Sequence, residues 1–214
     1  MRSLAVAVWL AAVLSPRSIA FAQAGVAAPP VGPPRTWSYS ATATMNVLPG
    51  EDDLVQPTLR ADRAALHLEG RYQYEDRESV SGFAGWNHVA AGKLTLALTP
   101  MLGAVVGRTD GAIPALELTL GFERLELYSE SEYVIALGGA GDDFFYNWSE
   151  LDVSLTDWLS GGLVTQRSRT VETSRDLQRG PFVRLTRGPV DGTAYFFNPG
   201  SDDHYFVGSI GVSF

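Results

Sequence analysis

The sequence predicts an all-β chain, a single antiparallel up-and-down transmembrane β-barrel of twelve strands, with ten as the alternative. Three observations carry this expectation. From Trp37 onward apolar residues recur at every second position, the period of a strand. The connectors between these runs roughly alternate between short and long, as in barrels with tight turns at one rim and loops at the other. Beyond the N-terminal segment, no run of 18 or more apolar residues supplies a transmembrane helix.

The segments follow in order. Residues 1–22 read as a secretory leader, with Arg2 as a basic head, an uncharged apolar run from Leu4 to Leu14, and Ala20-Phe21-Ala22 as a small-x-small cleavage site. Residues 23–36 form a Pro/Gly/Ala-rich linker without hydrophobic period, and 37–214 form the barrel. Trp37 to Val47 alternates almost without error. Next, Leu66, Leu68, Tyr72 and Tyr74 share one face, with His67, Glu69, Arg71 and Gln73 on the other. Leu94 to Val106, Leu116 to Phe122, Leu125 to Ile135 and Leu151 to Leu155 keep the same alternation. Weaker candidates cover about 78–88, 159–171, 177–187 and 192–198. With the closing strand that ends at Phe214 these make eleven segments, and closure of such a barrel requires an even number, so the long stretch 57–75 is expected to hold two strands.

Composition narrows the function. Removal of residues 1–22 leaves 14 basic residues against 24 acidic ones, a mature charge of about −10. Such a surface repels nucleic acid. Lys93 is the sole lysine, which is unusual for a water-facing surface. The chain has no cysteine, so no disulfide holds it together. Aromatic residues gather near strand ends, among them Trp37, Tyr72, Trp86, Phe144 to Tyr146, Trp148, Trp158, Tyr195 to Phe197 and Tyr205, and are expected to form interfacial girdles.

The segment HYFVGSIGVSF places Phe206, Ile210, Val212 and Phe214 on one parity, with small residues between them. It resembles the terminal signal that the outer-membrane barrel-assembly machinery recognises. The stretches QPTLRADRAALHLEGRYQYE (56–75), LELYSESEYV (125–134), FFYNWSELDVS (144–154) and FFNPGS (196–201) resemble a group of small exported barrel proteins of Gram-negative bacteria that have no assigned activity. That resemblance implies the fold and an outer-membrane location, and no catalytic residues. The expected partners are outer-membrane lipids, lipopolysaccharide and the assembly machinery, with the oligomeric state open.

The chemistry-bearing constellation is acidic. Glu117, Glu126, Glu130, Glu132, Glu150 and Asp152 share the polar parity of three consecutive segments, so neighbouring strands set them on one inner wall. Arg71, Arg167 and Arg169 are expected to face them. The last two depend on the register of 159–171, where either Leu163 or Val164 faces outward. Such a wall is either a cation-favouring passage or a salt-bridge ladder that fills a narrow barrel. Loop-mediated adhesion or envelope stabilisation ranks second. Lipid hydrolysis ranks last, because His88 beside Trp86 is the available interfacial base and no particular serine is paired with it. No motif demands a cofactor or a metal, and the acidic tips Glu51 to Asp53, Asp142-Asp143 and Asp202-Asp203 lack the spacing of a calcium loop.

Overall fold

The computed structural model describes residues 36–47, 53–137, 143–170 and 176–214. The leader and nearly all of the linker lie outside these residues. The strands are β1 (Ser38–Val47), β2 (Leu54–Arg63), β3 (Leu66–Tyr72), β4 (Val80–Trp86), β5 (His88–Ala90), β6 (Thr95–Val106), β7 (Gly111–Phe122), β8 (Leu125–Ala136), β9 (Phe144–Ser154), β10 (Leu159–Thr170), β11 (Asp176–Arg187), β12 (Val190–Phe197) and β13 (Tyr205–Ser213). Apart from β4 and β5, consecutive strands pair antiparallel, and β1 pairs with β13 to close the barrel. β4 and β5 both pair with β6 in one continuous register, so they are two halves of one stave and the barrel has twelve staves. The interruption has a local cause. Pro100, between the paired positions Met101 and Leu98 of β6, has no N–H for the ladder, while Asn87 N–H turns to the Ala65 carbonyl at 2.7 Å.

The stretch 57–75 does hold two strands. β2 and β3 are joined by Ala64-Ala65, with Ala64 in the left-handed region at φ 53°, and the β7–β8 turn repeats this at Glu123, also φ 53°. Short turns lie at one rim, with residue 36 and Phe214 at the same end. The opposite rim carries the longer connectors.

Alternation then sorts every strand residue to one of two environments. Outward-facing Leu59, Leu102, Leu163 and Ile210 are 60–66% exposed, whereas inward-facing Ile113, Val134, Val164 and Phe197 are fully buried. The apolar band on the outside is what hydrocarbon requires and water penalises. Phe206, Ile210 and Phe214 all stand exposed on that outer face. Tyr39 and Phe214 exchange two backbone hydrogen bonds of 2.8 and 2.9 Å, which carry the seam to the last residue.

Two expectations are corrected inside the barrel. Phe144, Tyr146, Trp148, Tyr195, Phe197 and Tyr205 do not join an outer girdle; they share the inward parity of their strands. Two apolar clusters result: Phe83, Met101, Val105, Ile113 and Val134 on one side, and Val164, Phe182, Tyr195, Phe197, Tyr205 and Val207 on the other. Tyr74 also leaves the outer face. Gln73 at φ 57° breaks the alternation and turns the Tyr74 ring inward against Tyr146, 5.9 Å between centroids.

The packing predicts a glycine requirement. A side chain at Gly103 would run into the Phe83 ring, whereas one at outward-facing Gly208 meets no atom within 4 Å. Gly103→Val is expected to destabilise the barrel by about 1–3 kcal/mol through overpacking, and Gly208→Ala to be neutral. Heat-modifiable gel migration of the two variants measures the difference.

Candidate functional site

The candidate site is the inner wall. The β8 sequence LELYSESEYVIA alternates without interruption, so Glu126, Tyr128, Glu130 and Glu132 face inward while Leu125, Leu127 and Tyr133 face out. In register, Glu130 stands opposite Glu117 of β7, and Glu126 opposite Asp152 of β9. Crowded carboxylates of one sign require cations or donors between them.

Arg71 of β3 supplies the first. It is 3% exposed, donates from Nε to Glu69 at 2.7 Å and from Nη1 to Glu132, and forms an ion pair with Glu130 across 2.9 Å from Nη2. Its guanidinium lies 4.4 Å from the ring centroids of both Tyr74 and Phe83. A delocalised cation with five donors suits this place, because it serves three carboxylates and two aromatic rings at once. Glu75, in the turn after β3, lies 3.6 Å from Arg71 and accepts from Ser81 at 2.7 Å; burial there pushes its carboxyl above the ordinary range.

Arg60 of β2 continues the network towards the short-turn rim. It meets Glu117 at 3.0 Å and Glu69 at 3.2 Å, so Glu69 bridges two arginines. Tyr128 donates towards both Glu117 and Glu130 at 3.0 Å. His67 lies between Asp62 at 2.8 Å and Glu69 at 3.3 Å. A second network forms on the facing side. Arg184 of β11 contacts Glu150 at 2.5 Å and Asp152 at 3.0 Å, and Glu150 also accepts from Tyr195 at 2.7 Å and Trp148 at 2.9 Å.

The register of β10 settles the open parity. Val164 is buried inside and Leu163 is 61% exposed outside, so Arg167, three residues on from Val164, stands on the outer face beside Phe145 and does not neutralise the acidic wall. The side chain of Arg169 lies outside the described residues. The cations opposite the acids are instead Arg60 and Arg184, which sequence reasoning missed. Their signal was present: each is one charge between apolar or small outward residues, Leu59 and Ala61 for Arg60, Val183 and Leu185 for Arg184. His88 stands exposed next to Trp86, 6.4 Å between ring centroids, over a shallow concavity of about 260 Å³ lined by Val89, Ala90, Leu96 and Leu98, with no serine in that lining.

Beside the networks, β1 lines the interior with Ser38, Ser40, Thr42 and Thr44. All four are only half-buried, in contrast to the inward residues of β3 and β8. Among the described residues the interior gathers ten carboxylates, including Glu126 and Asp191, against Arg60, Arg71, Arg184 and His67.

Among solved structures the chain is similar to the KdgM porin, with a TM-score of 0.53 and 10% identity, covering 83% of this chain and 98% of that one. It also matches Pseudomonas aeruginosa OpdQ (TM-score 0.44, 12% identity, 79% of this chain and 57% of that one). A third match is the Acinetobacter baumannii outer membrane protein Omp33 (TM-score 0.45, 10% identity, 83% and 97%). The KdgM likeness is one of fold. No protein-family model and no curated protein matches the chain.

Arg71 is the centre on which the wall depends, and its removal would leave three buried carboxylates facing one another. Arg71→Met is expected to cost about 3–5 kcal/mol, the usual penalty for orphaning a buried ion pair. Arg184→Met should cost less, because the Arg184 side chain is 25% exposed and water reaches its partners. Urea unfolding of both variants in lipid vesicles ranks them.

Proposed function

We propose that the chain is a narrow, cation-favouring channel of the bacterial outer membrane, with an acidic lumen only partly neutralised by arginine. The observation that carries this is the excess of inward carboxylates over inward arginines among the described residues, together with a half-buried run of small hydroxyl side chains on β1. Charged rings of one sign select the opposite ion. The apolar outer band, the aromatic residues at its edges and a fold shared with a protein named as a porin support the location.

Half-buried Glu117 and Glu126 are the acids best placed to meet a passing ion. The side chain of Glu117 is 15% exposed, and no ion pair among the described residues holds Glu126. The Ser/Thr wall offers oxygens that replace part of an ion's water shell, and no large side chain from β1 blocks the way.

A second reading has its own support. At the level of Arg71, the inward residues Glu69, Arg71, Glu132 and Val134 are 0–5% exposed, so this layer is packed as in a small barrel whose interior is filled. In that case the charge networks serve as a structural plug.

Planar-bilayer recording separates the two. The folded protein is expected to give small conductance steps and a cation-selective reversal potential in a salt gradient. Glu117→Gln with Glu126→Gln should move that potential towards zero while heat-modifiable migration stays unchanged. A correctly folded barrel that is silent rejects the channel and leaves the plug, and one that conducts without cation preference rejects the acidic lumen as its selecting element.

A further inference from the structure

Charge is sorted across the barrel wall. Among the described side chains of the strands, every carboxylate faces inward, and the ionised groups on the outer face are arginines. Arg63 and Arg187 end β2 and β11 at the short-turn rim, and Arg63 lies over the Trp37 ring. Arg167 and Arg179 stand together near the loop rim of adjacent strands. Arg167 pairs with Leu177 and Thr165 with Arg179, so the two arginines are diagonal neighbours. Neither has an ion-pair partner among the described residues, and the Nε of Arg167 is buried without an acceptor.

These two arginines terminate a polar track across the lipid-facing surface. One rung runs Ser131, Asn147, Arg167, and the next runs Ser129, Ser149, Thr165, Arg179. The hydroxyl and amide groups are already oriented by one another. Asn147 donates to Ser129 and Ser131 at 3.0 Å, Ser149 donates to Asn147 at 3.1 Å, and Ser129 and Ser149 lie 2.9 Å apart. Leu127, Leu151 and Leu163 border the track on the short-turn side, and Tyr133 and Phe145 on the loop side. An arginine facing lipid at the bilayer midplane costs about 2–4 kcal/mol, and the cost falls near the interface, where phosphate groups lie.

We infer that this outer face of β8–β11 is a binding site for a phosphorylated glycolipid of the outer leaflet. Arg167 and Arg179 take its phosphates, and the serine, threonine and asparagine rungs take the ester, amide and hydroxyl groups at the heads of its acyl chains. Guanidinium groups match phosphate oxygens in charge and geometry. Charge favours the lipid over a second copy of the chain. A two-fold contact would set arginine against arginine, and the described outer strand faces offer no carboxylate to receive them. The site rests on the outer-membrane location and not on conduction, so a silent barrel leaves it standing.

Native mass spectrometry of the folded mature protein in detergent tests it, with diphosphoryl lipid A as the probe. The wild type is expected to retain one lipid A and to bind a fully dephosphorylated form about tenfold more weakly or worse, as loss of one charge-assisted contact implies. Arg167→Gln with Arg179→Gln should weaken lipid A binding to the same extent, while Arg63→Gln with Arg187→Gln at the other rim should not. A large excess of inorganic phosphate should fail to displace the lipid. Heat-modifiable migration confirms that each variant is folded. Equal binding of the two lipid forms, unchanged binding by the Arg167/Arg179 variant, or displacement by free phosphate each overturns the site. Disulfide cross-linking between Ser149→Cys copies with lipid binding unaffected assigns this face to a second copy instead.

Discussion

A polypeptide in hydrocarbon has no water to satisfy its N–H and C=O groups, so each must find a partner in another strand and the sheet must have no edge. In this chain that demand falls on β1 and β13, which pair over eight positions from Ser40↔Ser213 to Val47↔Phe206. The seam joins the two ends of the described barrel, and the inside–outside sorting of the remaining staves has meaning only because it closes. Once closed, successive residues see either lipid or lumen and nothing between. The apolar exterior and the charged interior are two consequences of that one constraint.

The interior of this barrel carries charge as well as apolar groups. The Phe83 and Phe197 clusters pack the flanks, and between them Arg71, Arg60 and Arg184 each serve two or more carboxylates. A lysine, as a compact point charge with three donors, would serve fewer acceptors. The absence of lysine from the wall and the repeated use of arginine therefore follow from geometry. Among the described residues the acids still outnumber the cations.

The same sorting explains where sequence reasoning worked and where it failed at the candidate site. Glu130 and Glu132 sit in an unbroken alternation with Tyr133 and Ile135, so their inward placement was legible from one strand alone. In LSGGLVTQRSRT, Gly161-Gly162 removes the side chains that would mark the faces, and Leu163-Val164 offers an apolar residue to each. Arg167 was consequently placed on the wrong side. Trp148 and Tyr195 illustrate a different failure. Aromatic residues suit both a membrane interface and a packed interior, and only the neighbouring strands show that these two rings meet edge to face at 5.2 Å.

By itself the sequence determined the fold class, the two-strand content of 57–75 and the faces of the strongly alternating strands, because a period of two and turn chemistry are local properties. The tertiary structure alone decided which arginine meets which acid, that Val164 and not Leu163 enters the lumen, and that Ser131, Asn147 and Arg167 share one outer rung. Each of these depends on register between strands and on closure of the ring, and no single segment encodes a register that its partner must also satisfy.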